Sequence, residues 1–405
     1  MQPAPANTRL IFALGTTQTL AWASSYYLPA MLAAPVSRAL GIENAFFFAA
    51  FSGALIVAAL IGPLVGRAVD RAGGRNMLCA SNVVLAVGLS LLAMTQHVPM
   101  LIFAWVVLGI GMGMGLYDTA FATLTRIYGT AARGPITGIT LIAGFASTIG
   151  WPITASIDAT LGWRSACITW AVIHLLVCLP INAWLLPRTK KLSSAATSSP
   201  SITAAHDTTT VALSSSIDTQ RPRQPWPLMM LLAAIFAATW FVTGAMATHL
   251  PSLLLQAGAS TAQAIAFAAL VGPAQVAARI VEFTLLKHIH PVVSARIATA
   301  LHPLGYAALC FLGPAGLAAF AVLHGAGNGL LTIAKGTLPL ALLGATDYGY
   351  RQGLIGLPAR FTQALAPVLF GFLVTRYGAD ALAISSALTL MAFITLWFVG
   401  RRAAV

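Results

Sequence analysis

A few charged and amide side chains lie inside long apolar runs, and these are the residues able to do chemistry. Gln275, Arg279 and Glu282 follow one another at i, i+4 and i+7, which puts them on one helix face. His324, Asn328, Thr332 and Lys335 form a second stripe, and Arg360, Gln363 and Pro367 a third. Earlier in the chain, Gln18, Trp22, Ser25 and Tyr26 share a face, and Asp118 is the single acid of its run. An ionisable group at the centre of a bilayer costs about 2.5–3.5 kcal/mol, so function is the default explanation for it. An arginine in a low-dielectric cavity suits a carboxylate, which it can bind through two parallel hydrogen bonds. Asp118 and Glu282 are the groups able to take a proton, with Lys335 a third candidate.

Other readings of the same residues stay open. Arg279 could pair with Glu282 one turn away, and Lys335 could reach the inner surface along its own stem. Arg360 is too central for that and has no acid on its own helix. His174 and His302 read as structural; His249 and His324 are undecided. Trp22 and Tyr26 suit packing as well as ligand contact.

The elements that must carry these residues are membrane helices. The chain has 405 residues, 58% hydrophobic and only 8% charged, with a mean hydropathy of +0.85. A soluble domain carries roughly 25% charged residues. The apolar runs are long enough to span hydrocarbon, which takes about 20 residues. They predict spans at 9–34, 43–68, 75–96, 98–126, 133–160 and 163–186, then 227–253, 261–286, 292–312, 314–342, 352–375 and 379–400. The first run is too long for a signal sequence and lacks a small-residue cleavage site. Cys79, Cys167, Cys178 and Cys310 are scattered, so no metal site or disulfide framework is implied, and no cofactor either.

The net charge of +13 follows the positive-inside rule and does not point to nucleic acid. Arg67, Arg71, Arg75, Arg126, Arg133, Arg188, Lys190, Lys191, Arg221, Arg223, Lys287, Arg296, Arg401 and Arg402 fall in loops of one side. Arg38, Arg164 and Arg376 fall on the other. Both termini are therefore expected in the cytoplasm, the chain lying in a bacterial inner membrane. Residues 187–225 are rich in Ser, Thr and Ala and cannot bury enough apolar area to order themselves. They are expected to link two bundles, 1–186 and 226–405. A repeat supports the division. Tyr27-Leu28-Pro29 matches His249-Leu250-Pro251, Gly62-Pro63 matches Gly272-Pro273, and Gly111, Gly113 and Gly115 match Gly325, Gly327 and Gly329.

The loop after the second span reads Gly66-Arg67-Ala68-Val69-Asp70-Arg71-Ala72-Gly73-Gly74-Arg75. It resembles the signature loop of the major facilitator superfamily, with Asn76 where a second basic residue is usual. Gly162-Trp163-Arg164 is similar to that superfamily as well. Two features depart from many proton-coupled members and antiporters: Trp105 stands where an arginine is usual, and Gly150-Trp151-Pro152 is only a fragment of a Gly-Pro motif.

The resemblance implies an all-α membrane protein of about twelve helices in two pseudo-symmetric bundles of six. Helices one, four, seven and ten would line the cavity, with two, five, eight and eleven beside them. It implies a monomeric transporter rather than an enzyme, working by alternating access. Gly66, Asp70, Arg71, Gly74 and Arg75 would form a latch between the halves. The excess of buried positive charge is similar to that of oxalate/formate exchangers and monocarboxylate porters, so the expected partner is a small organic anion. Arg279 and Arg360 would neutralise its carboxylate, with Gln18, Tyr26, Asn328, Gln363 and His324 as further contacts. Efflux of a drug-like compound and a non-transporting sensor are the alternatives.

Overall fold

The computed structural model describes residues 7–187 and 225–402. The expected linker, with Arg188, Lys190, Lys191, Arg221 and Arg223, lies outside the described residues. Seventeen α-helices cover the described chain. The first ten are α1 Thr8–Ser24, α2 Pro29–Leu40, α3 Asn44–Ala72, α4 Gly74–Ala93, α5 Val98–Gly115, α6 Tyr117–Tyr128, α7 Arg133–Ala143, α8 Ala146–Leu161, α9 Trp163–Ile173 and α10 Leu179–Leu185. The rest are α11 Trp226–Gln256, α12 Thr261–Ala269, α13 Val271–Thr284, α14 Pro291–Leu312, α15 Leu317–Leu343, α16 Tyr348–Tyr377 and α17 Ala381–Arg402.

Eight continuous helical stretches among the described residues are apolar and long enough to cross a bilayer, and three of them run 64, 53 and 52 residues. At about 1.5 Å per residue each of these three exceeds twice the ~30 Å hydrocarbon thickness, so each makes two crossings. Counting them twice gives eleven. The pair α1 and α2 supplies the twelfth, interrupted at Ser25–Leu28, where Pro29 starts a new helix. The protein is a multi-pass membrane protein with six crossings before residue 187 and six after 225.

Four of the predicted spans are not straight rods. Besides the first, the fourth breaks at Leu116, the fifth at Gly144–Phe145 and the eighth at Leu270. Each break moves the following turn off the line of its helix. The break at Leu116 places Asp118 in the first turn of α6, where a helix N-terminus favours negative charge.

The apolar cores stay almost wholly within one half. Two clusters belong to the first six crossings and three to the last six; Leu340, Ala345 and Tyr348 join a cluster of the other half. Trp105, in the place of an arginine, is buried against the rings of Phe47 and Phe51.

Glycines let the helix backbones approach within each half, as in membrane bundles generally. A Cβ on Gly109 would meet the backbone of Ala54 in α3, and one on Gly111 would meet Leu85 in α4. In the second half Gly325 faces Val271 at the start of α13, and Gly327 faces Ala298 in α14. Gly109 and Gly111 thus face the second and third crossings as Gly325 and Gly327 face the eighth and ninth. The sequence register is two residues out of step, because alternate glycines face different neighbours. The Leu-Pro match diverges too: Pro29 begins a helix, whereas α11 runs on through Pro251.

Candidate functional site: a carboxylate clasped across two half-bundles

Asp118 belongs to the first half, and its partners come from the second. Lys335 of α15 donates to its Oδ1 at 3.0 Å, and the Arg360 guanidinium of α16 donates to Oδ2. The Gln352 amide donates to Oδ1 at 3.4 Å and to the Lys335 carbonyl at 3.0 Å. All three charged side chains are largely buried. Two cations against one carboxylate leave one positive charge at this point. Lys335 thus turns inward instead of reaching a surface, and its ammonium also lies 4.9 Å from the centre of the Trp240 ring.

Lys335, Arg360 and Trp240 border a cavity between the halves. The first six crossings contribute Trp22, Tyr26, Leu55, Ala58, Met112, Leu116 and Tyr117 to its wall. The last six contribute Trp240, Lys335, Arg360 and Gln363. Gln363 donates to the Tyr26 hydroxyl at 2.8 Å, bridging the cavity. Trp22 packs edge-on to Tyr26 and tilted against Tyr117, with centroids 5.1 and 4.8 Å away. The indole N–H groups of Trp22 and Trp240 are buried and have no hydrogen-bond partner.

Arg279 is the other buried cation expected here. It does not pair with Glu282. Its guanidinium donates to the Thr140 carbonyl at 3.2 Å and to the Thr332 hydroxyl at 3.4 Å, so it joins α13 to α7 of the other half. Glu282 lies instead against Arg133 at 2.9 Å, outside the central cavity. Arg133 donates as well to the carbonyls of Leu286 and Ile289. A cation thereby meets the C-terminal end of α13, where the helix dipole favours it.

Asp70 makes the complementary arrangement. Its two carboxylate oxygens accept the N–H groups of Gly349 and Tyr350, each at 2.8 Å. The residue before α16, Asp347, adopts a left-handed conformation with φ of 49° and does not cap the helix with its side chain. The first N–H groups of α16 would otherwise be orphans, and Asp70 caps them from the other half. The Arg67 guanidinium covers the Tyr350 ring at 4.1 Å.

At the loop expected to form a latch, Asp70 engages backbone N–H groups of α16. Arg126 donates to the carbonyls of Asp70 and Arg71, and Gly74 packs on Thr123. Arg71 is exposed and Arg75 is half-buried. The Asp70 and Arg133 locks are related by exchanging the halves: one joins crossing two to eleven, the other crossing eight to five.

Removing the Asp70 carboxylate leaves two N–H groups uncapped, a loss of about 1 kcal/mol or more. Asp70→Ala is expected to lower occupancy of this closed arrangement roughly fivefold. Spin-label distances between α3 and α16 at this end would register the change.

Three residues expected to touch a ligand lie elsewhere. Gln18 donates to the Gly115 carbonyl at 2.6 Å and braces the break before α6. His324 and Asn328 face a separate small space among α11, α14, α15 and α17. His324 Nδ1 bonds His302 Nδ1 at 2.9 Å, and His302 Nε2 bonds Ser385 at 2.9 Å. Asn328 accepts from Thr243 at 3.0 Å. The stripe on α15 is too wide for one environment: its upper part turns into its own half and only Lys335 reaches the cavity.

Gln352, Tyr117 and Trp240 belong to the site and were not anticipated. The spacing Gln352, Gly356, Arg360 places them on one face and was legible. Nothing in the sequence distinguishes Trp240 from the other aromatic residues of its run.

The halves close on each other at the end carrying Asp70 and Arg133. There α3 and α6 pack against α16, and α7 packs against α13 and α15. Beyond the breaks, α2, α8 and α12 pack within their own halves.

Comparison with known proteins agrees with this architecture. Residues 14–318 match the model of the Major Facilitator Superfamily. The chain is 25% identical over 285 residues to the 3-(3-hydroxy-phenyl)propionate transporter of Escherichia coli (strain K12), covering 67% of this chain and 64% of that protein. It therefore spans just under two thirds of that relative's length. The fold is similar to the human organic anion transporter MFSD10 (TETRAN), with a TM-score of 0.73, 16% identity and coverage of 97% and 100% of the two chains. It is also similar to the proton:xylose symporter XylE, with a TM-score of 0.69, 13% identity and 96% of each chain covered. With the family match spanning most of its helices and twelve crossings in two halves, this chain belongs to the Major Facilitator Superfamily.

Proposed function

We propose that the protein carries a small organic anion, a carboxylate, across a bacterial inner membrane, coupled to a proton, with both termini in the cytoplasm. The observation that carries this reading is the clasp on Asp118. A carboxylate from one half already occupies the ground between two cations of the other half, and a substrate carboxylate suits the same donors. A proton on Asp118 removes its charge and frees Lys335 and Arg360 for the incoming anion. Because the clasp joins the halves, exchanging its anion changes what holds them together, which is the link that coupling requires. The relative named for an aromatic acid supports an anionic substrate. Arg279 would engage the anion once its bond to Thr140 opens. With the Asp70 end in the cytoplasm, this arrangement is closed inward and faces outward.

Efflux of a cationic compound is less well supported, since the residues lining the cavity include two cations and no acid. The test is uptake into proteoliposomes of a panel of mono- and dicarboxylates, with and without a pH gradient. Uptake of a monocarboxylate, raised severalfold when the lumen is alkaline, is expected. Failure of every carboxylate, with uptake of neutral or cationic compounds, would overturn the reading.

A further inference from the structure

The cavity is two-faced, and its two faces ask for different parts of one molecule. The wall from the first six crossings is apolar and aromatic, dominated by Trp22, Tyr26 and Tyr117. Tyr117 is itself held flat by stacking on Phe121, the ring planes 9° apart. The wall from the last six crossings carries Lys335, Arg360 and Gln363 beside Trp240. From these walls we infer that the substrate is an aromatic monocarboxylate, its ring against Trp22 and Tyr117 and its carboxylate toward Lys335 and Arg360. This inference rests on the organic-anion reading above and narrows it.

The walls count against two neighbouring classes. A polyol needs donors and acceptors on all sides, yet the first wall offers only the Trp22 N–H and the hydroxyls of Tyr26 and Tyr117, and the Tyr26 hydroxyl already accepts from Gln363. A short aliphatic acid would fill the anionic end but leave the rings unmatched, and flat aromatic groups gain from edge-on or offset contact with other rings.

The unpartnered N–H groups sharpen the assignment. A buried indole N–H usually finds an acceptor. Those of Trp22 and Trp240 are buried without one, and each ring lines one wall of the cavity. Trp22 and Trp240 are thus specificity-determining residues.

Phenylacetate, hexanoate and phenylethanol separate the possibilities in proteoliposomes under an inward proton gradient. Phenylacetate is expected to be taken up with a kcat/KM at least about tenfold above that of hexanoate, and phenylethanol not at all. Trp22→Leu should bring the phenylacetate-to-hexanoate ratio toward one, chiefly through the KM for phenylacetate, and Trp22→Phe should restore most of it. Competition by unlabelled hexanoate on the unaltered protein gives the same comparison should the Leu variant not fold. If hexanoate matches phenylacetate, the aromatic inference falls and the organic-anion reading stands. If neither acid enters, the aromatic inference falls and the wider carboxylate panel decides the organic-anion reading; if phenylethanol enters as well as the acids, both fall.

Discussion

Arg360→Gln is expected to lower carboxylate uptake at least about a hundredfold while leaving the protein folded and inserted. A hundredfold corresponds to about 2.7 kcal/mol, within the reach of a charge-assisted pair in a dry cavity. The two parts of this result have one cause. Asp118 has two cationic partners, so the variant keeps a neutral Asp118–Lys335 pair and no buried charge is left uncompensated. The positive charge that would meet the substrate is what disappears. Asp118→Asn is the opposite case. It leaves Lys335 and Arg360 facing each other with no acid, and breaking a buried pair in this way typically costs about 3–5 kcal/mol. That variant should unfold at lower temperature in detergent and lose its response to a pH gradient. The double variant, Asp118→Asn with Arg360→Gln, should regain thermal stability without regaining transport. Uptake by the Arg360→Gln single variant at the rate of the unaltered protein would remove Arg360 from the site.

What the sequence shows and what it hides can be traced to particular residues. The twelve crossings are visible because hydropathy is a sum over about 20 residues and tolerates local errors. The break at Leu116 is not, because it carries neither a proline nor a run of polar residues, whereas the break at Leu270 has its signal in Pro273, which cannot donate to the carbonyl of residue 269. Asp118, Lys335 and Arg360 could each be picked out singly, since charge in an apolar run is conspicuous. Their convergence could not, because it depends on how two half-bundles meet across more than 200 positions. Glu282 illustrates the same limit. Its spacing to Arg279 suggested a local pair, yet a partner from the other half, Arg133, holds it at the closed end. His324 failed for another reason: a stripe along a 27-residue helix passes through several environments, and periodicity gives a face but not a depth.

The second large effect is steric. Gly66→Ala, a change of one methyl group, is expected to abolish the arrangement closed at the Asp70 end. A Cβ on Gly66 would strike the Gly349 carbonyl and come within 2.9 Å of the Tyr350 amide nitrogen. Every one of these atoms is backbone of α16, so no side chain can swing aside. The same α16 residues supply the N–H groups that Asp70 binds, so the contact that closes this end is also the one that positions its hydrogen bonds. Folding itself should not suffer, because Ala favours a helix over Gly by roughly 0.5–1 kcal/mol.

The penalty falls on one conformer alone, and the other gains population. A shift from 1:99 to 99:1 requires about 5.5 kcal/mol, and a clash between two backbones can supply it. Gly62→Ala is the matched control on the same helix. Its Cβ would sit 3.9 Å from Gly353, an ordinary contact, and uptake should change little. Spin labels on α3 and α16 at the Asp70 end should report a longer distance in Gly66→Ala and an unchanged one in Gly62→Ala. Uptake by Gly66→Ala should fall at least about tenfold, since a carrier held in one state cannot complete its cycle. Equal distances and equal uptake in the two variants would mean that this close backbone approach does not govern closure.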